Sequence, residues 1–244
     1  MTRGSTFIQN LLEGDLTGTY RRHHPGVTNM WVIGSSMLAN CLLQKQFPGL
    51  LGLNQPLDLN ACLNQVHPII FYVLPRLLQA AIASACMVCF YILTKRLLGQ
   101  SVALCSLSLL LLEPFFLAYQ RYLTTDALMA DFSILALLLF LLYLRSDRYR
   151  RQLLVASGVF MGLATATKVT ALFILPAIAI WIVLIESGIW RTRFPQRGWK
   201  RQLADLRWWG LSILGTIVLI WPAMWVSPSY VVAQIYKGLL KESC

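Results

Sequence analysis

Arg121, Asp126 and Asp131 fall within EPFFLAYQRYLTTDALMADFSILALLLF (113–140), between two stretches that are otherwise lipid-soluble. Ionised side chains are expensive at the centre of a bilayer, so in such surroundings they mark helix ends or a site. Arg76 and Lys168 stand beside other apolar runs, far away in sequence. A cluster of fixed cations suits a phosphate or diphosphate, because Arg offers a planar donor fork and Lys a point charge. YRRHHPG (20–26) adds Arg21, Arg22, His23 and His24 if its loop faces the same side. Taken singly, an Arg121–Asp126 pair across a turn, or a Lys168 snorkelling from a helix end, accounts for each charge. Taken together, Arg76, Arg121, Asp126 and Lys168 favour a site, because snorkelling does not explain basic residues on the face that normally lacks them. Glu113, about two turns before Arg121, is placed to orient it by charge pairing. Asp131, about one turn into the next helix, has no assigned role; either acid could instead carry a proton in a transporter.

The elements that must position these groups are membrane helices. Of 244 residues 57% are hydrophobic and only 13% charged, with mean hydropathy +0.61, which excludes an ordinary soluble domain and predicts an all-α, polytopic transmembrane helical bundle. Clear spans run over 77–93, 101–118, 127–144 and 208–226, the last with Trp208, Trp209, Trp221 and Trp225 at its ends as an aromatic belt. The apolar stretch 153–185 is too long for one helix. The basic loops at 145–151 and 191–207 should share a side, so the chain crosses twice between them, as 153–166 and 169–185 joined near Lys168. Residues 76–226 then form a six-helix transmembrane core. Residues 1–75 read as an extracytoplasmic loop in which 26–43 spans or lies on the membrane surface or re-enters, and 227–244 as an extracytoplasmic tail, truncated by comparison with larger relatives.

Net charge is +11, and twelve of the 21 basic residues sit in three loops, at 95–96, 145–151 and 191–207. That placement marks these loops as cytoplasmic, with anionic lipid headgroups as their partners, and nucleic acid is not needed to explain the charge. The six cysteines include a C-x-x-C at Cys86 and Cys89, but it lies in an apolar helix without a second ligand pair, so no metal site is predicted and small-residue packing is the reading for that pair. No cofactor is named by any motif, although a divalent cation is compatible with phosphate chemistry.

GDLTGTYRRHHPGVTNMWVIG, EPFFLAYQRYLTTDALMADF, GLATATKVTALFILPAI and WPAMWVSP, in that order, resemble the membrane glycosyltransferases of the protein O-mannosyltransferase and aminoarabinose-transferase superfamily. The resemblance runs from about residue 7 to 228. It implies a multi-helix GT-C fold and transfer of a sugar from a polyprenyl- or dolichyl-phosphate carrier to an acceptor outside the cytoplasm. His24-Pro25 matches the superfamily's His-Pro in its first loop, Arg121 and Asp126 its Arg and Asp between two early helices, and Lys168 the Lys of its TK turn near the carrier phosphate. Arg76, Arg121, Lys168 and His24 are thus the expected phosphate-binding residues. Relatives take the acceptor's proton with an acid in the first loop; MTRGST stands where that motif is expected, leaving Asp15 and Asp126 as the catalytic carboxylates. The chain reads as a fragment of such an enzyme, an integral multi-pass protein of the inner membrane if bacterial or the endoplasmic reticulum if eukaryotic. The alternative is a proton-coupled transporter or lipid flippase using Glu113 and Asp131, disfavoured because no pair of corresponding Gly/Pro-broken helices divides the chain into two halves. A non-catalytic membrane subunit is the third reading.

Overall fold

A computed structural model describes residues 2–20, 26–47, 59–64, 69–146, 150–188 and 198–242. Every regular element among them is helical. The N-terminal part comprises α1 (Thr2–Leu12), α2 (Val27–Gln46) and α3 (Leu59–Asn64); the rest comprises α4 (Val73–Leu98), α5 (Gln100–Leu112), α6 (Pro114–Arg121), α7 (Thr125–Arg145), α8 (Arg150–Thr167), α9 (Ile174–Glu186), α10 (Trp199–Ile220), α11 (Ala223–Val226) and α12 (Pro228–Glu242). Four segments are long and apolar enough to cross a membrane: 69–98, α7, Val169–Glu186 and α10. The α5–α6 pair adds a fifth if its two halves form one span.

That pair departs from the single helix expected over 101–118. Pro114 cannot donate to the helical ladder, and its ring disfavours helical backbone at the residue before it. Glu113 is accordingly extended (φ −74°, ψ 114°), its carboxylate accepts the Phe116 N–H as an N-cap, and α6 leaves α5 at 65°. The stretch 153–185 divides at Lys168, which is extended between α8 and a 3-10 turn over Val169–Phe173. Among the expected spans α8 is less apolar than the four, and its position explains why: it is sandwiched between α7 and α10, and a helix screened from lipid need not be apolar all round.

The α7–α8–α10 layer is the core of the bundle. Asp131, Leu135, Phe140 and Tyr143 of α7 are almost wholly buried. Because lipid tails are as apolar as these side chains, helices here gain by close backbone approach and by polar cross-links rather than by escaping water. Ser157 Oγ donates to the Ala136 carbonyl (2.7 Å) and accepts from Trp209 Nε1 (3.1 Å), tying three helices through one hydroxyl. Tyr143 donates to Asp205 Oδ2 at 2.8 Å, and Arg145 to the Leu97 carbonyl at the end of α4. The basic ends of α4 and α7 and the basic starts of α8 and α10 therefore gather at one end of the bundle.

At the other end α1–α3 form a cap. Gly4 and Gly34 let α1 and α2 touch backbone to backbone: a Cβ at Gly34 would lie 2.7 Å from the Gly4 carbonyl oxygen. Phe7 packs edge-on against Trp31, with ring centroids 5.1 Å apart. Cys41 and Cys62 are joined in a disulfide between α2 and α3, a pairing that sequence spacing did not indicate. Sequence could not pair them, since they stand 21 positions apart on two helices that only packing brings together. Such a bond belongs to an oxidising compartment. Cys86 is buried, whereas Cys89 and Cys105 are exposed.

Two glycines of α8 set its distance from α10. A Cβ at Gly162 would meet Thr216 Cβ at 2.7 Å and the Ile213 carbonyl at 2.8 Å, whereas nothing lies within 4 Å of one at Gly215. Gly162→Ala should lower the thermal midpoint in detergent, at an overpacking cost of about 1–3 kcal/mol, and Gly215→Ala should leave it unchanged.

Candidate functional site

At the capped end, the first turn of α7 and the last residue after α8 meet. Lys168 Nζ lies 2.6 Å from Asp126 Oδ1. Each charge suits its helix: the N-terminus of α7 favours the carboxylate and the C-terminus of α8 the ammonium. Their side chains are 29% and 42% exposed, so the pair contributes at most about 1 kcal/mol, and its importance is geometric. It holds an ammonium group at a fixed point on the bundle's rim.

The polypeptide approaching α2 arrives at the same point. Gly26 adopts φ +57° and donates its N–H to the Thr167 carbonyl at 3.1 Å, and the Thr28 and Thr167 hydroxyls are hydrogen-bonded. Five residues on, Trp31 Nε1 donates to the Ile220 carbonyl at 2.7 Å. The N-terminal segment thus caps the ends of both α8 and α10 with donors they cannot supply themselves. His24, with Arg21, Arg22 and His23, lies outside the described residues.

Between this segment and α7 is a cavity of about 450 Å³, walled by Arg3, Gly26, Asn29, Thr124, Thr125 and Asp126. Asn29 Nδ2 donates to the Leu123 carbonyl at 3.3 Å, while Asn29 Oδ1 and Thr124 Oγ1 have no hydrogen-bond partner among the described residues. One cation, one carboxylate held by a second cation, an amide and two hydroxyls give the wall a chemistry that matches an anionic, hydroxyl-rich group. Arg3, Asn29 and Thr124 were not singled out from the sequence. The only signal for Arg3 is a charge among small residues just before an amphipathic turn, which a surface position explains equally well.

The other expected residues among those described do not line this cavity. Arg76 and Arg121 are exposed and, among the described residues, make no hydrogen bond or ion pair. They lie near one end of α4 and α6, whose chain segments are joined by Gln79 Nε2 donating to the Tyr122 carbonyl at 2.8 Å. Glu113 does not reach Arg121, because its carboxylate is used to cap α6. Asp131 is fully buried in α7 and accepts from Gln120 Nε2 at 2.9 Å. Asp15 is exposed and accepts the Gly18 N–H at 2.9 Å, closing the turn after α1; it does not line the cavity. Beyond that turn, Tyr20 stacks on Trp221 with centroids 6.1 Å apart, and burial, with a smaller contribution from Tyr230, pushes its phenol above the ordinary pKa. Among the described residues no group of three His, Cys, Asp or Glu side chains converges as metal ligands.

A family model described as dolichyl-phosphate-mannose-protein mannosyltransferase matches residues 73–225. Arg76, Arg121, Asp126 and Lys168 fall inside the match, and Asp15 and His24 outside it. No curated protein and no solved structure matches the chain. The positive φ at Gly26 gives a separate structural check on the cap: Gly26→Ala forces an L-residue into left-handed backbone with its Cβ 3.3 Å from Thr125, and should lower the thermal midpoint at a cost of about 1–2 kcal/mol.

Proposed function

Because the chain belongs to the dolichyl-phosphate-mannose-protein mannosyltransferase family, we propose that it transfers a sugar from a polyprenyl-phosphate carrier to an acceptor at the extracytoplasmic face of its membrane. The observation that carries this reading is the cavity at the cap, where Arg3 and Asp126, the partner of Lys168, meet an amide and hydroxyls at the end of the bundle opposite the basic ends of α4 and α7. Sparse positive charge belongs outside and dense positive charge inside, so that polarity supports an extracytoplasmic site, and the Cys41–Cys62 disulfide supports the same side.

In the proposed step the bond between the anomeric carbon and the carrier's phosphate oxygen breaks, and its electron pair leaves with the phosphate. An acceptor oxygen bonds to the same carbon and gives up its proton. Lys168 and Arg121 stabilise the charge that grows on the departing phosphate, with Arg76 and His24 as further candidates. Asp126 fixes Lys168 through Oδ1, and its Oδ2, which has no partner among the described residues, takes the acceptor's proton in this reading. Asp15 is a poorer base, being away from the cavity wall and engaged in its own turn. The transporter alternative loses one of its two acids to a structural task, since Glu113 caps α6.

Transfer from a mannosyl-phosphoryl polyprenol, followed with the sugar radiolabelled, tests the reading. Lys168→Ala and Arg121→Ala should each lower kcat by about a hundredfold, the usual cost of removing a charge-stabilising donor. Unchanged rates in both variants would sink the phosphate site.

A further inference from the structure

Asp131 has no place in that chemistry, yet it is the most deeply buried acid described in the chain: it is fully enclosed, one turn and a half into a membrane-crossing helix. Its one hydrogen-bond donor among the described residues is Gln120, whose Nε2 lies 2.9 Å from Oδ1. Two atoms of this pair are left without partners, Asp131 Oδ2 and Gln120 Oε1. Both accept hydrogen bonds and neither donates when the acid is ionised, so the pair as a carboxylate leaves two buried oxygens unsatisfied and a charge in apolar surroundings. A single proton on Oδ2 removes the charge and turns one of the two acceptors into a donor. A carboxylic acid and an amide side chain can close a pair through two hydrogen bonds, acid O–H to amide oxygen and amide N–H to acid carbonyl, and the second of these is the Gln120 Nε2 to Asp131 Oδ1 bond.

We propose that Asp131 is held in its protonated form and, with Gln120, forms a two-point latch between α7 and α6 that positions Arg121. The geometry around Arg121 supports the second half of this statement. Helix α6 has eight residues and none of them is buried; Phe116, partly buried, packs against the main core, and the end that carries Arg121 is held by hydrogen bonds. It is held at its start by the Glu113 cap, and at its end on both sides of Arg121: Gln120 is bonded to Asp131 of α7, and the Tyr122 carbonyl to Gln79 of α4. The Arg121 backbone is thereby pinned from two directions while its guanidinium stays exposed and free. Asp131 is a positioning residue, acting through Gln120. Gln120 also lines an apolar groove between α4 and the α5–α6 bend, so the latch closes the inner wall of that groove.

The latch is read out by infrared difference spectroscopy on the purified chain in detergent, with transfer from a mannosyl-phosphoryl polyprenol as a second measurement that rests on the function proposed above. The carbonyl stretch of a protonated carboxylic acid should be present in the parent at neutral pH. It should vanish in Asp131→Asn and move to higher frequency in Gln120→Leu, which removes the bond to Oδ1. Asn preserves both hydrogen bonds, so Asp131→Asn should keep transfer within about twofold of the parent, whereas Asp131→Ala should lose about tenfold, the value of one buried hydrogen bond. No acid band dependent on Asp131, or an Asp131→Asn variant as impaired as Asp131→Ala, overturns the latch. A parent chain with no transfer activity overturns the proposed function instead, and the infrared band alone then decides for or against the latch.

Discussion

A chain this apolar can interrupt a helix only where some other group takes up the hydrogen bonds that the break releases. Three interruptions shape the structure, at Glu113–Pro114, at Lys168 and at Trp221–Pro222, and each is answered. The Glu113 carboxylate takes the Phe116 N–H at the first. Gly26 N–H takes the Thr167 carbonyl at the second, with the Thr167 hydroxyl bonding back to Leu163 at 2.7 Å. Trp31 reaches the Ile220 carbonyl at the third, and Trp225 Nε1 reaches Val218 at 2.6 Å. Two of the three solutions come from α2 and the residue before it. The N-terminal cap is therefore part of what lets the bundle's helices stop where they do.

The candidate site follows from the same constraint. Where α8 stops and α7 starts, exposed helix ends attract opposite charges, and Lys168 and Asp126 occupy them. Because α2 must come close enough to cap α8, its Asn29 and the preceding Gly26 become walls of the space above that ion pair, with Arg3 brought in by α1. The cavity is a by-product of capping: the approach that satisfies backbone carbonyls also encloses a polar pocket beside a fixed ammonium. The bend at Glu113 works similarly. It turns α6 away from α5 and carries Arg121 to the rim, where Asp131 of α7 holds Gln120 and Gln79 of α4 holds Tyr122 on either side of it.

Much of this was legible in the residues. Composition and apolar run length decide the membrane class, and the TATK interruption within 153–185 marks a break because one helix of that length overshoots the bilayer. The EP dipeptide at 113–114 carries the signal for the bend, which reading 101–118 as one continuous span passed over: Pro at a first helical position with an acid before it is a helix start. Lys168 and Asp126 were legible as members of a charged cluster on one face, and the structure joins them directly. Glu113 and Asp15 were legible only as acids. Whether an acid pairs with an arginine or caps its own turn depends on a few ångströms of backbone direction that residue type does not encode.

Sequence by itself determined the all-helical membrane bundle, the segregation of basic residues to one end, and the set of charges near the other, because these depend on transfer free energies that act residue by residue. Family membership rests on the sequence as well. Tertiary structure alone decided which charges touch. It joined Asp126 to Lys168 across 42 positions, Cys41 to Cys62, and Gln120 to Asp131, and it brought Arg3 to the cavity from the first helix. The physical reason is range: burial preferences are local properties of a side chain, whereas a hydrogen bond or ion pair exists only within about 3 Å, and only the packed backbone sets distances on that scale.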